Sequence, residues 1–267
     1  MAKIVWDANG ERWYENGVDH GVLWVQRANG SYKPGVCWNG LTSVDENPEG
    51  AEANDLWADN MKYGSMRSAE TYGLTIHAYQ SPPEFQECDG YRNPVPGLKL
   101  GQQKRTAFAF GWRSQIANDT QTESDDGYLL HVAYNLIAAP SSRTWETIND
   151  SPDAAEREWE CDGLPVNLEG YKPIYKLEID SRYVDPDKLK IIEGILYGTN
   201  ETDSRLLLPD EFIQIIGGTS GVDVYLKVTP TGIENPAKAN WYEMENETYT
   251  LTTDTEVDTA KTYYEKR

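Results

Sequence analysis

Four carboxylates, Glu49, Glu52, Asp55 and Asp59, fall within the stretch PEGAEANDLWADN at spacings of three, three and four. On a helix that spacing lines them along one face, which is one way to gather oxygen ligands for a hard cation. No histidine accompanies them, and Leu56-Trp57 in their midst offers a surface segment an apolar anchor. A second group, Glu156, Glu158 and Glu160, alternates with Arg157, Trp159 and Cys161. An extended chain sends all three carboxylates to one side, where they repel one another unless that side is wet. The face is then either ordinary solvated surface or the wall of a channel. Two carboxylates at the right separation also perform glycosidic acid/base chemistry, but with 44 Asp and Glu in the chain such pairs have almost no specificity.

Other chemistry is sparse. Cys37, Cys88 and Cys161 contain no close pair, which argues against a disulfide framework and a CxxC metal site; they read as reduced filler residues. His20, His77 and His131 are equally scattered. His77 reads as a structural or interfacial histidine on a strand. No GxGxxG, Walker loop, HExxH, GxSxG or EF-hand loop occurs. The sequence therefore predicts no catalytic residue, no metal site and no cofactor.

The elements that must position these groups read mainly as strands. WYENGVDHGVLWVQ sets Asn16-Gly17 between two apolar runs and predicts a hairpin with a type I′ turn. GVCWNGLTSV adds a strand interrupted at Asn39-Gly40, and the segment from Pro48 to Asn60 reads as the start of a long polar connection with little alternation. YGLTIHAY alternates Leu74, Ile76 and Ala78 against Thr75, His77 and Tyr79. In TAFAFGWR, Phe108, Phe110 and Trp112 share one face and Ala107, Ala109 and Gly111 the other, a small-residue face that something must approach closely. YLLHVAYN and PIYKLEID give two more strands, the second with Tyr175, Leu177 and Ile179 inward. One helix is predicted over DPDKLKIIEGILYG, with Asp185 as N-cap, Pro186 at the first position and a Leu189, Ile192, Leu196 stripe. LLLPDEFIQII repeats this start on a smaller scale. GGTSG reads as a linker, giving a main domain over residues 1–216, a linker over 217–221 and a small β module over 222–267.

The chain has 267 residues, 24 Lys and Arg, and a net charge of −20, so it opposes wrapping phosphates. Trp and Tyr, at 9 and 17, far outnumber the 4 Phe, giving many rings a polar handle for half-buried or interfacial positions. No apolar run approaches a membrane span, and MAKIVWDANGERW lacks a signal-peptide core. These features predict a chain kept in the cytosol until it is assembled, with no membrane partner.

Three stretches together resemble a known family: PEGAEANDLWADNMKYGSMRSAETYGLTIHAYQSPPEFQECDG (Pro48 to Gly90), GQQKRTAFAFGWRSQIANDTQTESDDGYLLHVAYN (Gly101 to Asn135) and LYGTNETDSRLLLPDE (Leu196 to Glu211). They are similar to the major tail protein, or tail tube protein, of long-tailed bacteriophages of Gram-positive hosts. The resemblance implies a β-sandwich or barrel with one flanking α-helix, here followed by a small C-terminal β module. It also implies a structural virion protein made in the host bacterial cytoplasm. Such proteins form hexameric rings and stack them into the tail tube, alongside the tape measure, initiator and terminator proteins. Genome DNA passes through the lumen at ejection without specific binding. On this resemblance Glu49, Glu52, Asp55, Leu56, Trp57 and Asp59 lie in a loop that contacts a neighbouring ring. Glu156, Glu158 and Glu160 are candidates to line the lumen, with Glu178 and Asp180 next if that strand face is exterior. The alternatives are a minor tail or adaptor protein, and a carbohydrate-binding or carbohydrate-active β protein.

Overall fold

The computed structural model describes residues 4–120, 127–145, 147, 154–200, 202–218, 225–227, 235–237, 241–245, 248–258 and 261–266. In chain order the strands are β1 (Trp13–Val25), β2 (Val36–Trp38), β3 (Leu41–Glu49), β4 (Ala53–Ala58), β5 (Met61–Arg67), β6 (Thr71–Ala78), β7 (Arg92–Val95), β8 (Leu98–Leu100), β9 (Phe108–Asn118), β10 (Tyr128–Ala138), β11 (Arg157–Gly163) and β12 (Lys176–Asp180). Helices α1 (Pro186–Tyr197) and α2 (Pro209–Gly217) follow, then β13 (Tyr225–Lys227), β14 (Tyr242–Glu245), β15 (Thr248–Leu251) and β16 (Tyr263–Lys266). The fold is mainly β with antiparallel sheets. Among the described residues it has two α-helices where the sequence predicts one flanking helix, because the Pro-Asp-Glu start at Pro209 carries a full helix.

The chain divides into two compact units, Met1–Arg27 with Tyr32–Arg182 and Ala28–Ser31 with Tyr183–Arg267. Both helices thus group with the C-terminal strands, whereas the sequence boundary falls at residues 217–221. Of that linker Gly217 ends α2, and residues 219–221 lie outside the described residues. In the second unit Asp185 caps α1 by accepting from the Asp187 amide at 2.9 Å, and β13, β16, β14 and β15 make a four-stranded sheet in that order.

The first unit is built on an eight-stranded sheet ordered β2-β1-β9-β10-β11-β6-β3, with β12 also paired to β10. Strand β10 is shared: Leu129–Ala133 pair with β12, and Leu136–Ala138 with β11. The sheet folds over at this branch, so that Leu41 of β3 lies over Gly21 of β1. Between the two layers sit Leu23, Val25, Phe108, Phe110 and Trp112 from one side and Leu74, Ile76, Ala78, Trp159 and Cys161 from the other. The predicted alternation of β6, β9 and β11 is the source of this core. Trp38, Phe85 and Trp159 meet with ring centroids 4.6–5.6 Å apart in tilted or edge-on contacts, each adding about 1 kcal/mol beyond area burial.

Asn16-Gly17 is not a hairpin. Strand β1 runs through it along β9, with register shifts at Asn16/Val18 and Asp19/Val22. Gly17 and His20 have φ of 66° and 51°. Positive φ serves a bulge as well as a turn, and the long partner strand keeps the chain straight here. Asn39-Gly40 likewise turns a corner, since β2 pairs with β1 and β3 with β6. The small-residue face of β9 is covered from within the chain: the Trp24 indole lies 3.0 Å from where a Gly111 side chain would begin.

Candidate assembly surface and a polar cleft

The stretch from Glu49 to Asp59 is neither helix nor open loop. Glu49 ends β3, Asp55, Leu56 and Trp57 lie on β4, and β4 returns as β5 through Asp59 and Asn60, whose φ values are 50° and 62°. Positive φ at both central positions is the type I′ turn that suits a two-residue hairpin. With a repeat of two, the carboxylates do not share a helical face, and Asp55 instead pairs with Lys62 at 2.7 Å. The register places Leu56 on one face with Met61 and Met66, and Trp57 on the other with Asp55 and Lys62. Among the described residues the two-stranded ribbon pairs with no other strand, and it is apolar on the outside: Trp57 is 69% exposed, Tyr63 78%, Met61 61%. A two-stranded hairpin is marginal on its own in water, so a ribbon with these side chains gains most from being covered.

Glu158 and Glu160 are exposed on the outer face of the β11–β6–β3 layer, while Trp159 and Cys161 between them are buried. Cross-strand rows run Glu158–His77–Ser43 and Glu160–Thr75–Asp45. His77 Nε2 lies 3.1 Å from Asp45 Oδ2. Glu156 precedes the strand and accepts a hydrogen bond from Thr42. Glu178 and Asp180 are spoken for: Glu178 lies 3.3 Å from His131 and 3.5 Å from Lys176, and Asp180 is held by Arg182, whose hydrogen bonds lower its carboxyl below the usual range.

A polar cleft of about 440 Å³ opens between the layers, lined by Glu15, Glu46, Ser114, His131, Lys176 and Glu178. His131 is buried and stacks on Trp112 at 4.9 Å, with Nε2 2.9 Å from Ser114 Oγ and Nδ1 3.3 Å from Glu178. This is the order of a serine hydrolase triad, but two of its links differ. The Ser114 hydroxyl is shared between His131 and Glu15, 3.0 Å away, and His131 Nδ1 makes no hydrogen bond to Glu178. Lys176 bridges to Glu46 at 2.7 and 2.5 Å and ties β12 to β3.

Burial holds the His131 pKa below the ordinary imidazole value of 6.5, against the pull of Glu178, Glu46 and Glu15 and with the help of Lys176. The unfolded chain thus takes up a proton before the folded one as pH falls. Stability contributed by the neutral ring is full above about 6.5 and is lost between that value and the lower folded pKa. Denaturant titrations at pH 8 and pH 5 should show wild-type stability falling more than that of His131→Gln, by up to about 1.4 kcal/mol per pH unit within the window. Equal pH dependence in the two proteins would refute this assignment.

Sequence reasoning missed this cleft, which draws single residues from β1, β3, β9, β10 and β12. It also missed the β7–β8 hairpin, where Val95, Leu98 and Leu100 are 54%, 48% and 44% exposed. The signal was present in NPVPGLKL, a Pro-Gly turn flanked by apolar residues. Among the described residues no group of three or more His, Cys, Asp or Glu is placed to hold a metal ion. Burial pushes the Cys88 thiol up to about 12 and raises that of Cys161 as well, which makes both poor nucleophiles. Among the described residues no helix is long and apolar enough to cross a membrane.

No protein-family profile matches the chain, and no curated protein matches it. Among solved structures it is similar to a chain of an extracellular contractile injection system, the PVC sheath–tube complex in its extended state, at 13% identity and a TM-score of 0.30, over 60% of this chain and 88% of that one.

Proposed function

We propose that this chain is a structural subunit that self-assembles into stacked hexameric rings, forming the tail tube through which a long-tailed phage ejects its DNA, and that it catalyses no reaction. The observation that supports this reading best is the β4–β5 ribbon, which carries exposed Leu56, Trp57, Met61, Tyr63 and Met66 on an unsupported hairpin. A second copy would cover it. The sequence resemblance supplies the kind of assembly, including its tape measure, initiator and terminator partners. Glu156, Glu158 and Glu160 then serve as lumen residues: with Asp45 and Asp162 they make an acidic sheet face, which repels passing phosphates. The test is sedimentation and negative-stain microscopy of the purified chain over rising concentration. Rings or tubes are expected without any ligand. A chain that stays monomeric at every concentration, alone and with a tail initiator present, would overturn the reading.

A further inference from the structure

We propose that the β7–β8 hairpin of one copy docks on the β4–β5 ribbon of another, an inference that rests on the assembly reading above and names the partner surface of its contact loop. Charge is the first reason. From Gly90 to Asn118 the chain has no Asp or Glu, yet it holds Arg92, Lys99, Lys104, Arg105 and Arg113, in a protein with 44 acidic and 24 basic residues. Three of these cations are engaged within the fold. Arg105 meets Asp89, Arg113 meets Asp19, and Arg92 donates to the carbonyls of Glu87 and Tyr91. Lys99 and Lys104 are exposed and make no ion pair among the described residues. On the ribbon side, Lys62 neutralises Asp55, while Glu49, Glu52 and Asp59 are exposed and likewise make no ion pair among the described residues. The β7–β8 hairpin and the segment after it therefore carry positive charge alone, whereas the ribbon, which also bears the exposed Arg67, is net negative.

Shape and hydrophobicity agree. Val95 pairs directly with Leu98, and Leu100 follows Leu98 by two, so these three exposed apolar residues share one face of β7–β8. Leu56, Met61 and Met66 share one face of the ribbon. Packing one face on the other removes both patches from water; Lys104 and Asp59 flank the contact, and Lys99, which alternation sends to the far face of β7–β8, adds to the same local charge, so that opposite charges set register. The two surfaces differ and every copy carries both. Such a head-to-tail contact repeats without closing on a pair, as a ring or a stack of rings requires.

Charge reversal on the full chain tests this. Lys99→Glu with Lys104→Glu should raise the concentration needed for assembly at least tenfold, and Glu52→Lys with Asp59→Lys should do the same. All four changes together should bring it back to within about threefold of wild type, because opposite charges again meet. Circular dichroism confirms that each variant is folded. Assembly of the lysine double variant at the wild-type concentration would overturn the pairing. So would a folded fourfold variant no better than the doubles, since the ribbon would then meet some other surface or another protein. A wild-type chain that never assembles instead removes the tube reading, and this contact with it.

Discussion

Leu56→Asp should yield a chain that folds with wild-type stability and does not assemble. In the single copy Leu56 is 42% exposed at a hairpin that pairs with no other strand among the described residues, so the change should cost within about 0.5 kcal/mol. In a packed contact the same carboxylate is buried without a partner, a penalty of about 3 kcal/mol or more. That is more than a hundredfold in affinity at one contact, and a ring repeats it at every interface. Trp57→Asp examines the opposite face of the ribbon, since neighbouring strand residues point apart. Sedimentation and microscopy, with unfolding curves as the control, decide the matter. Tubes of ordinary length from both variants would end the ribbon's role, and a block from one alone would say which face is covered.

The second large effect lies in the body of the fold. Asp89→Ala should lower stability by about 3 kcal/mol, read as a shift of roughly 6–12 °C in Tm. Asp89 is 8% exposed, accepts hydrogen bonds from Arg143 and from the Trp159 indole nitrogen at 3.4 Å, and faces Arg105 in an ion pair at 3.5 Å. Through them it ties the short 3₁₀ turn Pro83–Glu87, whose Phe85 enters the core, to the segment after β10 and to β11. Removing the carboxylate leaves two half-buried guanidinium groups facing each other. A loss below 1 kcal/mol would mean that solvent already screens the cluster.

What could be read from the sequence was whatever follows from a repeat of two. Leu74, Ile76 and Ala78, Phe108, Phe110 and Trp112, and Trp159 with Cys161 are buried as their alternation requires, and the exposure of Glu158 and Glu160 is the other half of the same pattern. Helix α1 was legible because capping chemistry is local. Asn16-Gly17 misled because positive φ marks a special backbone position without saying whether the chain reverses or merely bulges. The β4–β5 ribbon was hidden for the opposite reason: its turn uses Asp59 and Asn60 with no glycine, and its strands lack polar alternation because neither face meets a core. Ser114, His131 and Glu178 come together only through the pairing of β9, β10 and β12, and no single-chain spacing announces that.

The pairing of β1 with β9 sets the order in which this molecule can mature. Trp13 finds Asn118, and Val25 finds Phe108, only after the chain between them has been made, whereas β4 and β5 are separated by two residues. Loop closure of that span is slow, and hairpin formation takes microseconds. The ribbon's apolar residues are therefore made, and exposed, before the core that should carry them can close. Nascent and half-folded chains expose Trp57 and Met61 while they have no ring to join, which makes crowding of unfinished subunits the main hazard of high-level synthesis and slow translation or low temperature the natural remedy.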